Sequence, residues 1–445
     1  MNTYFKHCLL GKRANTIFSA CKSLRGTLAL KSYVALIDQG LASGANFLIT
    51  VLLARQMIPA EFGVFVLTYS ILLFIKSLQM ALITQPMSVL GAPLEGTEVQ
   101  KYFSSLTIGQ LTLGVCFVMI LLVGACLLNF IPMQTKIAPT FFAMALASFP
   151  YQGQEYFRRA LFARFKTAFA LLNDFLCYSL QTIGIILLYL YNLLSGPNVF
   201  YVIGISSAIA MLYGYIQCHE FIGSDFSKFK KIIKKNWDHG KWLLSSTLLM
   251  WTSGQAYFFI AAFFLGPVAP AVLRAAQNVY GPTHVLLNGL EGFAPQIASK
   301  KYSSGGIEKL NNFLKFLLII LLIIMGLYCL FASLGSEFLL NILYKKQYSG
   351  YGKIVVLLGI TYILNSLMRV PSIGLRAINK PKGIFYAHAA SSCVTIGFGI
   401  LLVKFLGITG AVLGTVISAL TVLLMTSYCY KLYINMGGKI ESFNP

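Results

Sequence analysis

Apolar runs recur along almost the whole chain, from Val34 to Leu432, and are broken at short intervals by Pro, Gly and charged residues. A helix needs roughly 20 mostly apolar residues to cross the hydrocarbon layer. The pattern predicts twelve such helices, with approximate limits 33–54, 62–90, 102–130, 137–157, 167–192, 198–219, 241–265, 271–298, 310–333, 352–376, 383–404 and 410–432. No connection between them is long enough for a soluble domain. The expected fold class is an all-α integral membrane protein of about twelve transmembrane helices.

The polar residues inside these runs are ordered. In the eighth run, Arg274, Gln277, His284, Asn288 and Glu291 recur at steps of 3, 7, 4 and 3, with Gly281 in the gap. Steps of three and four share one helix face. The opposite face reads Val279, Leu286, Leu290 and Phe293. An ionised group at the bilayer centre costs roughly 2.5–3.5 kcal/mol, so the stripe should face a water-filled cavity. The plainer alternative is hydrogen bonding between helices that only holds the bundle together.

Similar stripes run through Gln39, Ser43, Asn46 and Thr50, with Asp38 beside them, and through Tyr69, Lys76 and Gln79. Two more comprise Ser148, Gln152, Glu155 and Arg159, and Thr361, Asn365, Arg369, Ser372 and Arg376. The third, sixth, ninth and twelfth runs are almost purely apolar and should face lipid.

These stripes supply the candidate site. Lys76, Arg274 and Arg369, with Asn46, Gln277 and Asn288, are the substrate-binding candidates. Asp38, Glu291, Asp174 and His284 are the ion-coupling candidates. Each intramembrane cation needs an acid or an anionic substrate, and Asp38 and Glu291 suffice for two of the three. Arg158 and Arg159 are expected to pair with Glu155 at i,i+3 and i,i+4. Asp174 reads equally as structural or proton-linked. For His284, hydrogen-bonded packing is favoured over a proton relay.

Charge fixes an orientation. Of 35 Lys and Arg residues, 25 fall in the segments that are cytoplasmic if the N-terminus is inside, 7 in the opposite segments and 3 within runs. The positive-inside rule then places both termini in the cytoplasm. The formal charge of +22 is accounted for by orientation and anionic headgroups, and nucleic acid is not an expected partner. Charged residues make up 11% of the 445 residues and apolar ones 57%, against about 25% charged in soluble proteins.

The basic stretch after the sixth run divides the chain into two halves. Ser43-Gly44 and Ser253-Gly254 occupy equivalent places in them. The expected organisation is a basic cytoplasmic leader over 1–32, a six-helix lobe over 33–220, a basic linker over 221–240, a second six-helix lobe over 241–432 and a tail over 433–445. Transporters built from such halves bind substrate between them. Nine singly spaced cysteines predict neither disulfides nor a metal site, and no cofactor is expected.

The first two runs with LLARQMIPAEFGVF between them, the segment QEYFRRALFARFKTAFALLNDF and the segment LRAAQNVYGPTHVLLNGLEGFAPQIA resemble a known family. They are similar to the polysaccharide-export flippases (Wzx-like exporters) of the multidrug/oligosaccharidyl-lipid/polysaccharide transporter superfamily. The resemblance implies two six-helix lobes around a central V-shaped cavity lined mainly by helices 1, 2, 7 and 8. It also implies a bacterial inner-membrane protein that moves undecaprenyl-diphosphate-linked oligosaccharide to the outer leaflet during lipopolysaccharide or exopolysaccharide biosynthesis. The implied partners are the polyprenyl-diphosphate-linked oligosaccharide, the lipid bilayer and, as a further candidate, the polysaccharide polymerase machinery. Basic cavity residues would hold the diphosphate.

The alternative is a cation-coupled multidrug antiporter, which would need a net-negative cavity. A membrane enzyme is disfavoured, because no P-loop, nucleophile elbow or paired carboxylates occur and the longest outer loop, GSEFLLNILYKKQYSGYGK, holds one acid and no histidine.

Overall fold

The computed structural model of the chain describes residue 34 and residues 37–128, 137–223 and 225–441. The leader expected over 1–32 and the end of the tail lie outside the described residues. All regular elements among the described residues are helical.

Twelve spanning helices are present among the described residues. They are α1 (Ile37–Gln56), α2 (Pro59–Leu90), α3 (Thr97–Leu128), α4 (Ile137–Ala163), α5 (Thr167–Leu190) and α6 (Gly196–Gln217), then α7 (Phe229–Leu265), α8 (268–304), α9 (307–334), α10 (Gly352–Ala377), α11 (382–406) and α12 (408–441). A short helix, Ser336–Tyr344, lies between α9 and α10. Helices α8 and α9 run almost continuously and part only at Gly305 and Gly306, the latter at φ +62. Gly407, at φ +61, parts α11 from α12. Both positive φ values are ones that glycine adopts without steric penalty.

By length and composition, nine stretches among the described residues qualify to cross a membrane, and α8–α9 and α11–α12 each count there as one. The chain is a multi-pass membrane protein. Helix α4 is not among the nine, because its second half carries Gln152, Gln154, Glu155, Arg158 and Arg159. The first four of these are buried. A span too polar for lipid is stable here because its polar face is turned into protein.

Helix α7 begins at Phe229, inside the segment expected to be a linker. Ile232, Asn236 and Gly240, at four-residue steps, are buried against the first lobe, while Lys230, Lys231, Lys234 and Lys235 stay exposed. This amphipathic turn pattern extends the helix well before its membrane portion. Tyr102 donates its hydroxyl to Asn236 Oδ1 at 3.1 Å.

Proline accounts for three of the helix irregularities. Pro86 has no amide hydrogen and would clash with the carbonyl of Leu82, and α2 widens to a π-turn over Met80–Thr84. Gly240 packs on this bulge, where a Cβ would lie 2.8 Å from the Ala81 carbonyl oxygen. Pro282 breaks α8 at Tyr280, and Pro371 breaks α10 at Met368.

Helices α1–α6 and α7–α12 form two six-helix lobes. One hydrophobic core is shared by both and joins Leu53, Phe62 and Phe65 to Tyr257, Val272 and Val355. It lies at the end that carries the α1–α2 and α7–α8 turns. Toward the other end the core divides. Met87, Phe103, Tyr156 and Phe221 form a cluster in the first lobe, and Leu287, Leu310, Leu314 and Val370 form one in the second. The cores of the two lobes therefore join at one end and separate at the other, where the start of α7 still packs on the first lobe.

The meeting end is close-fitting. A Cβ on Gly63 would fall 1.6 Å from the carbonyl oxygen of Pro267 in the opposite lobe. On the outside, α3 presents Val115, Met119, Val123 and Leu127, and α9 presents Ile319, Ile323, Leu327 and Phe331. All are exposed apolar side chains at helical spacing, suited to lipid.

Candidate functional site

The interruption of α8 at Tyr280 shapes the centre of the molecule. The α8 side chains Arg274, Gln277, His284 and Asn288 descend one wall of a cavity of about 450 Å3. Ser43, Asn46 and Thr50 of α1, Tyr69 of α2 and Tyr362 of α10 complete it. Both lobes contribute, and the size falls within the roughly 300–1,000 Å3 of small-molecule sites.

Asn46 is held in place. Its amide nitrogen donates to the Ala42 carbonyl at 2.8 Å, and its oxygen accepts from the Tyr69 hydroxyl at 3.3 Å. His284 Nε2 lies 3.3 Å from the Tyr362 hydroxyl. Tyr362 in turn stacks on Tyr280 at 4.5 Å between ring centroids. The side chains of Gln277 and Asn288 have no hydrogen-bond partner among the described residues.

Arg274 differs from the other intramembrane cations. Its guanidinium lies over the Phe258 ring at 4.8 Å, and no carboxylate pairs with it among the described residues. It borders both the central cavity and an adjoining cleft of about 280 Å3 within the second lobe. Gln277, His284 and Tyr362 share that position. The cleft is rich in hydroxyls, from Thr361, Ser391, Thr415 and Ser418, and holds His388, whose Nδ1 is 3.2 Å from Ser253 Oγ.

The other two candidate cations are paired. Lys76 borders a separate cavity of about 380 Å3 with Trp251 and Gln255, and its ammonium is 3.1 Å from Glu155. Arg369 pairs with Glu291 at 2.8 Å and donates to the Leu287 carbonyl at 3.3 Å.

Asp38 pairs with none of Lys76, Arg274 or Arg369. It meets Arg158 at 2.5 Å, and Asp174 meets the same guanidinium at 2.6 Å. Glu155 contacts Arg158 at 3.5 Å and Arg159 at 2.7 Å. The first lobe thus encloses a balanced set of three acids, Asp38, Glu155 and Asp174, and three bases, Lys76, Arg158 and Arg159. Removing one partner from such a buried set typically costs about 3–5 kcal/mol. The i,i+3 and i,i+4 pairs on α4 form as their spacing predicts. The tighter bonds of Arg158 reach α1 and α5, and spacing along one helix carries no trace of them.

Of the ten candidate residues, Asn46, Arg274, Gln277, His284 and Asn288 converge on the central cavity. Lys76 lies in the neighbouring cavity, and Arg369 and Glu291 form an ion pair on the second lobe. Asp38 and Asp174 are sealed around Arg158. Tyr362 and Arg158 carry weight that the polar periodicity does not reveal. Tyr362 lies one position from a noted stripe, and Arg158 was assigned only to its neighbour on α4.

No protein-family model and no curated protein matches the chain. Solved structures do. An inward-facing multidrug resistance MATE family transporter of the MOP superfamily aligns with a TM-score of 0.70 at 15% identity, covering 88% of this chain and 95% of that one. An outward-facing MATE family transporter aligns at 0.66 and 16%, covering 93% and 96%. The lipid II flippase MurJ, in an inward closed conformation, aligns at 0.63 and 17%, covering 91% and 87%. At these identities the likeness speaks to architecture, and the chain has the twelve-helix, two-lobe fold found in MOP-superfamily transporters.

Proposed function

We propose that this protein is a flippase for a polyprenyl-diphosphate-linked oligosaccharide in surface or exopolysaccharide biosynthesis, working by alternating access in a bacterial inner membrane. The observation that carries this reading is Arg274. A half-buried guanidinium without a carboxylate, on a cavity shared by both lobes, is stabilised by an anionic ligand. A diphosphate suits it, since guanidinium can give paired charge-assisted hydrogen bonds to phosphate oxygens. Gln277, Asn288 and Asn46 would meet sugar hydroxyls. Lys76 and Arg369 would add attraction as their carboxylates exchange partners during the cycle.

Orientation supports the same reading. With termini in the cytoplasm, as the loop charges indicate, the closed end faces outward and the open end faces the cytoplasm, where the substrate is assembled. Among the ion-coupling candidates, His284 lines the cavity, whereas Asp38 and Asp174 already hold Arg158.

Arg274→Ala should abolish export and accumulate lipid-linked oligosaccharide in the inner leaflet, with membrane levels of the protein unchanged. Arg274→Lys should retain part of the activity. Normal export by Arg274→Ala would overturn the reading. The multidrug antiporter remains the second reading, favoured by the aromatic wall of Phe47, Phe65, Tyr69 and Tyr362. It predicts resistance to organic cations on overexpression with surface polysaccharide unaltered by deletion.

A further inference from the structure

Helix α1 has two faces with different neighbours. Ser43, Asn46 and Thr50 look into the central cavity. The opposite face forms a groove of about 420 Å3 with α5. Ile49 and Ile185 are its buried floor, and Leu48 and Ile186 are exposed along its sides. Such a surface accepts a hydrocarbon chain.

The mouth of the groove is cationic. Arg55, in the last turn of α1, lines it together with Lys345, which follows the short helix Ser336–Tyr344 of the other lobe. Neither has a carboxylate partner among the described residues. Arg55 Nε is buried without a hydrogen-bond acceptor. Lys345 is held in a left-handed backbone conformation, φ 50 and ψ 42, in which a residue with a Cβ is strained. An apolar channel ending at two unpaired cations matches one chemistry, an acyl chain with an anionic head.

We propose that the groove is a binding site for an anionic phospholipid of the membrane leaflet at the closed end, and that the lipid bridges the two lobes. Its phosphate accepts hydrogen bonds from Arg55 of the first lobe and an ion pair from Lys345 of the second, while one chain lies between α1 and α5. Because the cations belong to different lobes, separating the lobes at this end dismantles the site. Bound lipid therefore favours the state closed at this end, by the differential affinity that any conformational ligand requires. The site is separate from the central cavity and does not depend on what the cavity carries.

The test uses the full chain in nanodiscs of phosphatidylcholine with and without phosphatidylglycerol. Native mass spectrometry reads retained lipid, and spin labels across the closed end read its conformation. Wild type should retain phosphatidylglycerol over phosphatidylcholine and shift toward closure when it is present. Arg55→Gln and Lys345→Gln should each lower that preference by about five-fold, since one basic residue near an anionic surface contributes about that factor. Arg55→Lys should keep most of it, and Arg274→Ala should keep all of it. Equal retention of both lipids by wild type, or unchanged preference in both Gln variants, would overturn the site. Loss in Arg55→Gln alone, or displacement of the phospholipid by added undecaprenyl diphosphate, would overturn the lobe-bridging phospholipid in favour of another ligand.

Discussion

Gly63 offers a direct test of how the two lobes are held together. Its α2 backbone meets the α7–α8 turn of the opposite lobe so closely that a Cβ would sit 1.6 Å from the Pro267 carbonyl oxygen and 2.6 Å from the carbonyl carbon. Non-bonded carbon contacts settle near 3.5–4.0 Å, so Gly63→Ala must drive the backbones apart by about 2 Å. The obstacle is main chain and has no rotamer to escape into. Overpacking of this kind costs roughly 1–3 kcal/mol, and a difference of that size changes a two-state population about 5- to 150-fold. The penalty falls on the state closed at this end, because the contact exists only there.

Spin labels at Ile58 and Val268, both exposed and on opposite sides of the seam, report the separation by double electron–electron resonance. The labels go on a chain whose nine native cysteines are replaced. Wild type should give the short distance. Gly63→Ala should move most of the distribution to longer values, with export slowed because the cycle cannot return to the closed state. An unchanged distribution with normal export would refute the claim that this contact holds the lobes.

Arg158→Met should lower thermal stability in detergent by about 3–5 kcal/mol, since it leaves Asp38 and Asp174 without their shared cation. Adding Asp38→Asn and Asp174→Asn to it should recover much of the loss, and no recovery would argue that Arg158 acts by packing alone. Glu291→Gln should cost less than about 1 kcal/mol, as expected of a partly exposed pair, yet raise affinity for an anionic cavity ligand by freeing Arg369, as measured by ligand-induced thermal shift. Outside the membrane, the hydrogen bond from Lys166 holds the exposed Glu220 carboxyl below its ordinary pKa. A depressed carboxylate stabilises the fold above its unfolded pKa and loses that contribution as pH falls through the folded value. Melting curves of wild type and Glu220→Gln should therefore differ slightly at neutral pH and converge in acid. A gap that widens on acidification would reverse the assignment.

The polar stripe of α8 was legible because periodicity and cost act on one helix. Arg274, Gln277, His284, Asn288 and Glu291 are costly to place in lipid, so their spacing turns one face toward a cavity or a polar partner helix, and the first four of them line the cavity. The lipid-facing ridges of α3 and α9 followed from the same rule in reverse. Pairings between helices were not legible. Asp38, Arg158 and Asp174 lie on three different helices, α1, α4 and α5, and only tertiary packing brings the two acids within 2.6 Å or less of the guanidinium. The early start of α7 was hidden because its lysines break the apolar run, although Ile232, Asn236 and Gly240 keep the helical period. Tyr362 was not legible, because it lies one position off the Thr361–Asn365 face and a tyrosine in an apolar run looks like core.

The charge balance of the first lobe has an electrical consequence. Three acids and three bases that neutralise one another move together when the lobe moves, so the membrane potential does almost no work on them. The Arg369–Glu291 pair is equally silent. Among the described cavity residues, Arg274 is the uncompensated charge, and a lipid diphosphate carries about two negative charges against it. On the proposed reading the loaded carrier transfers net negative charge outward. An inside-negative potential then assists by about 2.3 kcal/mol per charge per 100 mV, and it assists the empty return as well, which carries the single positive charge of Arg274 inward.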